Sequence, residues 1–249
     1  MPMIELSTGA TLDVLETGNP NGQPVVLIHG LLGTGLLNFA DLIDWLAPDY
    51  RVIAPTLRGY GESFPKPRDF PARFYQRDAD DVLALLDALG LENNIRLMGF
   101  SDGGETALCV GVKAPERFES VIVWGAVGHF GPEMRPIAQQ VYRADWLTPE
   151  LMATHHIENA DSFALRWIRA FHQIIDLGGD ITLSQADKLT MPVLMLLGDQ
   201  DTLNPVSYGE RFVQALPNGK LIILPCGHNV HKEQTADFNQ HVSAFWKGI

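Results

Sequence analysis

Apolar residues along this chain follow two rhythms. Short runs are apolar at nearly every position: PVVLI from Pro24, RVIAPTL from Arg51, IRLMGF from Ile95, SVIVWGA from Ser120 and PVLMLLG from Pro192. Continuous runs of this length predict strands covered on both faces, as in a parallel sheet. Longer stretches between them carry apolar residues at helical spacing. Val82, Leu85, Leu86 and Leu89 mark one face of a helix from Phe74 to Leu89, and Gly90 is placed to end it. Further helices are expected at Phe39 to Leu46, Gly103 to Lys113, Tyr208 to Leu216 and Glu233 to Trp246. The opening IELSTGATLDVLE predicts a hairpin turning at Thr8-Gly9, and KLIILP from Lys220 a last strand.

The alternation stops between about Phe130 and Asp187. TPELMATHHIE opens like a helix, with Thr148 as cap and Pro149 in the first turn, and SFALRWIRAFHQIIDLG is apolar on one face up to Gly178-Gly179. Repeated strand–helix units imply an α/β chain with a mostly parallel central sheet and helices on both faces. The strand-free stretch reads as an inserted helical cap. The expected organisation is core 1–129, cap 130–187 and core 188–249.

Composition narrows the function. At 249 residues and 46% hydrophobic, the chain suits one large globular unit. A formal net charge of −12 argues against nucleic acid or an anionic membrane as partner and leaves a small neutral or cationic molecule. Cys109 and Cys226 belong to no CxxC or Cys/His cluster, so neither a metal nor a disulfide framework is expected, and no cofactor is implied. The first residues lack a basic segment followed by an apolar one, and VLMLL at Val193 to Leu197 is far too short to span a bilayer. The expectation is a soluble, cytoplasmic protein.

The chemistry gathers where strands end. Gly99-Phe100-Ser101-Asp102-Gly103 is the chain's one match to G-x-S-x-G around a serine, and it lies between a strand and a helix. On so sharp a turn, side chains two positions either side of the serine would collide, so glycine is required at both. The hydroxyl then stands at a helix N-terminus, where developing negative charge is welcome. A serine nucleophile needs a base, and the base needs an acid to orient it. His228 follows the last strand, and Asp199 and Asp201 lie in the loop after the strand before it. Ser101, one of these acids and His228 therefore form the expected catalytic triad, in the chain order Ser101, Asp201, His228 if the acid is Asp201. HGLLG, from His29 to Gly33, supplies a turn whose Leu31 N–H, with that of Asp102, is the expected oxyanion hole. His29 is expected to hold that loop and His231 to lie early in the last helix. RGYGES, from Arg58, is read as structural.

HGLLG, RGYGES, GFSDGG, GDQDTLNP and CGHNVHKEQ together resemble the α/β-hydrolase superfamily over essentially the whole chain. The resemblance puts the acid on Asp201 rather than Asp199. MGFSDGGETAL, VIVWGA and GHNVHKEQTADFN are similar, more narrowly, to the valacyclovir hydrolase (biphenyl hydrolase-like) group. That likeness implies hydrolysis of α-amino acid esters, with an acidic residue after the nucleophile, here Asp102, holding the substrate ammonium. The reaction expected is carboxylic ester hydrolysis through an acyl-enzyme. A C–C bond hydrolase or perhydrolase on the same triad, or a ligand receptor on the same fold, are the alternatives. His129, Phe130 and Leu203 are expected at the substrate pocket beside Asp102. Trp146, Phe163, Trp167 and Phe171 are candidate cap walls.

Overall fold

The computed structural model describes residues 2–140 and 144–249. Eight strands form one sheet: β1 (Met3–Glu5), β2 (Thr11–Gly18), β3 (Pro24–Ile28), β4 (Arg51–Pro55), β5 (Ile95–Phe100), β6 (Phe118–Trp124), β7 (Val193–Gly198) and β8 (Gly219–Leu224). Their order across the sheet is β1-β2-β4-β3-β5-β6-β7-β8. The pairings from β4 through β8 are parallel; β1–β2 and β2–β4 are antiparallel. The hairpin turns where expected, with Gly9 at φ +80°.

The continuous apolar runs have a direct physical reason. Successive side chains point to opposite faces, and both faces are covered. Val26, Ile28, Leu97, Val121 and Val123 pack into a core on one side, beneath α2 (Phe74–Ala88) and α3 (Asp102–Lys113). Val25, Leu27, Met98, Ile122 and Trp124 pack on the other, against α1 (Ala40–Leu46) and the C-terminal helix Thr235–Lys247. Strand β8 forms the edge and is only partly covered, with Ile223 45% exposed.

Helices occupy the interval between β6 and β7: α4 (Arg135–Gln140), α5 (Pro149–Thr154) and α6 (Ala160–Asp176). Of the segment 130–187, residues 141–143 lie outside the described residues. Thr148 caps α5 by accepting from the Leu151 N–H, and Asn159 caps α6 by accepting from the Ser162 N–H. Gly90 and Gly178 end α2 and α6 in the same way. The N–H of the glycine reaches the carbonyl three residues back, and the next N–H reaches the carbonyl five residues back, Leu91 to Leu86 and Gly179 to Ile174. After β7 come α7 (Val206–Gln214), starting two residues earlier than expected, then α8 (Val230–Glu233) and α9 (Thr235–Lys247). The last helix, expected from Glu233, starts at Thr235, because Gln234 leaves helical geometry at φ −132° and ψ 49°, and the short α8 precedes it.

Candidate active site

Strand β5 delivers Ser101 and passes straight into α3. Ser101 sits at φ 55° and ψ −125°, its N–H held by the Trp124 carbonyl at 2.9 Å. Both flanking glycines are necessary. A Cβ on Gly103 would lie 2.1 Å from the Ile28 carbonyl oxygen, and one on Gly99 2.3 Å from that of Gly103.

The loops after β7 and β8 are zipped together beyond the strand ends. Asp199 N–H donates to the Leu224 carbonyl at 3.0 Å and Gln200 N–H to the Cys226 carbonyl at 2.9 Å. This pins acid and base side by side. His228 Nδ1 lies 2.8 Å from Asp201 Oδ2, and His228 Nε2 lies 2.9 Å from Ser101 Oγ. With the Nδ1 proton directed to the carboxylate, Nε2 is free to accept from the hydroxyl. Asp201 is buried, which alone would raise its pKa; the contact and charge of His228, the Leu203 N–H and the Asn204 side chain outweigh burial and hold it below the ordinary carboxylate range. Its Oδ1 accepts from Leu203 N–H at 2.8 Å, so it shapes the loop as well as facing His228. Asn204 Nδ2 donates to Oδ2 at 3.2 Å. Nothing in the sequence singled out Asn204 beyond its nearness to Asp201.

The other buried histidines are committed elsewhere. His29 accepts the Leu57 N–H at 2.9 Å and donates to the Gly30 carbonyl at 2.7 Å, while burial drives its pKa down to about 3. It holds the loop, as expected. His231 accepts from the Trp124 indole and donates to the Asn38 carbonyl, with its pKa lowered by burial to about 4. His155, which sequence reasoning passed over, accepts the Gly61 N–H and donates to the Leu32 carbonyl, both at 3.0 Å. It ties the helical segment to the turn that carries Leu31. The N–H groups of Leu31 and Asp102 have no backbone acceptor among the described residues. Burial pushes the Cys226 thiol up, with neighbouring carboxylates adding to the effect, which makes it a poor nucleophile.

Asp102 neither faces open solvent nor caps its helix. Tyr75 O–H donates to Oδ1 at 2.6 Å and Trp167 Nε1–H to Oδ2 at 3.0 Å. Burial raises its pKa, and these two donors oppose the rise. One turn on, Glu105 is fully buried and accepts from the N–H groups of Val127, at 2.8 Å, and Gly128, at 3.1 Å. Burial pushes Glu105 up to about 7 against those donors, and the Asp102 charge adds to the rise. The loop it holds includes Gly125, where a Cβ would meet His228 Cε1 at 2.8 Å.

Ser101, Asp102, Glu105, Phe130, Trp167 and Leu203 share one cavity of about 30 Å³ with His228. Phe130, Leu203, Trp167 and Phe171, all named from the sequence, line this cavity. His129 does not. Its backbone bridges to Asp180 and its ring stacks on Tyr208 at 5.6 Å, which turns it away. Phe163 lines a different cavity, and Trp146 is not among the residues of this one. Among the described residues no His, Cys, Asp or Glu cluster is arranged to hold a metal, and no helix is long and apolar enough to cross a membrane.

Residues 23–143 match a family model described as the alpha/beta hydrolase fold. The human protein named Serine hydrolase BPHL is 30% identical over 244 residues, covering 95% of this chain and 83% of that one. The 3-oxoadipate enol-lactonase 1 of Acinetobacter baylyi is 26% identical over 99% of this chain and 97% of its own. Among solved structures, the 2-hydroxy-6-oxo-6-phenylhexa-2,4-dienoate hydrolase of a Rhodococcus species superposes with a TM-score of 0.81 over 99% of both chains, at 22% identity.

Proposed function

Because the chain belongs to the α/β-hydrolase family, we propose that it is a serine hydrolase that cleaves carboxylic esters through an acyl-enzyme and prefers esters of α-amino acids. The observation that carries the reading is the unbroken line from Ser101 Oγ through His228 to Asp201, set beside the Asp102 carboxylate, which is held by two neutral donors and has no ion pair among the described residues.

Ser101 attacks the ester carbonyl while His228 Nε2 takes its proton, and Asp201 steadies the imidazolium that results. The N–H groups of Leu31 and Asp102 receive the oxyanion. His228 returns the proton to the departing alcohol, then draws one from water to release the acid. Loss of one oxyanion donor typically costs ~3–4 kcal/mol of transition-state stabilisation.

Asp102 supports the amine preference. A carboxylate about 6 Å from a forming oxyanion opposes it by ~2–3 kcal/mol at an effective dielectric near 20. The nearby cation Arg68 is engaged by Asp78 in a two-point pair. A substrate ammonium supplies the missing positive charge and fixes the scissile carbonyl against Ser101. A substrate bearing a carboxylate, such as the dienoate in the Rhodococcus protein's name, meets Asp102 and Glu105 in the same cavity, which argues against C–C cleavage of such compounds here. The cavity, about 30 Å³, has room for little more than a water molecule, so side chains of its wall shift when an ester binds.

A panel of short acyl, aryl and amino acid esters tests the reading. Ser101→Ala abolishes turnover of all of them. Asp102→Asn lowers kcat/KM for an amino acid ester by about 10–100-fold, the scale of a hydrogen-bonded charge, and that of its des-amino analogue only a few-fold. Equal losses on both remove amine recognition; activity surviving Ser101→Ala removes the nucleophile.

A further inference from the structure

A larger cavity, of about 420 Å³, opens between the Lys66–Arg68 loop, the α5–α6 junction and the first two turns of α6. It shares no lining residue with the catalytic cavity. On α6, Phe163 and Arg166 face it, while Trp167 and Phe171, on the adjoining stripe of the helix, face Ser101.

Its charge runs against that of the whole molecule. The chain carries −12, yet three cations, Lys66, Arg68 and Arg166, line this cavity against one acid, Glu158. Arg68 is neutralised by Asp78 at 2.5 Å. Lys66 rests on the Gly61 carbonyl, which satisfies a donor but leaves the charge. Arg166 stands apart. Its Nε is buried with no hydrogen-bond partner. The Nε atoms of Arg68, Arg77 and Arg117 are also unpartnered, but the other nitrogens of those side chains bind Asp78, Asp69 and Asp87. Arg166 has no ion pair on any nitrogen among the described residues. A guanidinium offers five donors in a fixed fork that matches an oxyanion. Leaving a buried donor of a charged group unmatched is unfavourable, and it points to an acceptor supplied from outside.

The first turn of α6 also reaches the cavity. Asn159 and Ser162 line it, and the positive end of a 17-residue helix favours an anion there.

We propose that this cavity binds a small molecule bearing an oxyanion, a carboxylate or a phosphate, with Arg166 and Lys66 as its charge partners. His155 forms part of the same wall and grips the Leu32 carbonyl and Gly61 N–H, so an occupant presses on the residue that positions the Leu31 turn. The inference rests on the cavity and its unmatched guanidinium, not on the ester chemistry, and stands or falls separately from it.

Side-chain NMR of the Arg166 Nε–H, assigned by its loss in Arg166→Gln, reads the site directly. Inorganic phosphate and acetate are titrated separately into wild type and into Ser101→Ala, with chloride at matched ionic strength as control. The expected result is a saturable shift with phosphate or acetate, absent with chloride and equal in both proteins; the stronger of the two identifies the source. Calorimetry of Arg166→Gln should show affinity reduced at least about tenfold, the worth of one charge-assisted hydrogen bond, with Lys66→Ala weaker in the same direction. An Arg166 signal that does not move with either anion, or moves equally with chloride, overturns the proposal. So does unchanged affinity in a folded Arg166→Gln protein.

Discussion

Trp167 Nε1 donates to Asp102 Oδ2 at 3.0 Å, so a helix between β6 and β7 grips the residue next to the nucleophile. With Tyr75 on the other oxygen, the carboxylate is oriented from two sides, and both donors oppose the rise in its pKa that burial causes. Trp167→Phe keeps the ring and removes the donor. For an amino acid ester, KM should rise about tenfold, as expected for a hydrogen bond to a charged group, and the acid limb of kcat/KM should move to higher pH. For a neutral ester neither should change. Steady-state kinetics from pH 5 to 8 decide it.

Asp201 is steadied in turn by Asn204. Asp201→Asn leaves the His228 Nδ1–H without its anionic acceptor, and kcat should fall by about 10⁴-fold. Asn204→Ala leaves the carboxylate in place but less fixed. Its kcat should fall several-fold with KM little altered, and a loss as large as that of Asp201→Asn would mean that Asn204 does more than orient.

Glu105 couples stability to pH. Folded, it holds its proton up to about pH 7, whereas its ordinary value is 4.5. Between those values the folded state binds more protons than the unfolded one, so stability falls as pH rises through this window, by on the order of 3 kcal/mol for this group. Urea unfolding at pH 5 and pH 8 should therefore show a smaller pH difference in Glu105→Gln than in wild type. A difference as large in the variant would assign the effect elsewhere.

His155 holds the Gly61 N–H and the Leu32 carbonyl on opposite sides of its ring. Removing its ring in His155→Ala strands the Gly61 N–H and the Leu32 carbonyl in the interior, at a cost of roughly 1–3 kcal/mol. The thermal midpoint should drop. If the ring also positions the Leu31 turn, kcat should fall about tenfold with KM nearly constant, and His155→Gln should restore part of kcat. Loss of stability with unchanged kcat would make the residue purely structural.

The sheet was legible because its strands are covered on both faces and so are apolar throughout; β8, on the edge, was found through its neighbours. The Ser101, Asp201 and His228 positions were legible for a local reason, since each follows a strand by one to four residues. The contacts that tune the site were not. Tyr75 and His155 reach it from remote segments, Trp167 was read as a cap wall with no sign of its hydrogen bond to Asp102, and Glu105 looks like any polar residue early in a helix until its partners, Val127 and Gly128, are known. His129 shows the converse. Proximity to β6 suggested the pocket, but its pairing with Asp180 decides where the ring goes.

The backbone at position 101 has a φ of 55°, a region that a residue with a side chain enters at a cost of about 1–3 kcal/mol. Glycine would occupy it without that penalty. Evolution toward thermal robustness alone would thus tend to erase the hydroxyl, and an inactive Ser101→Gly protein should outlast the active one on heating.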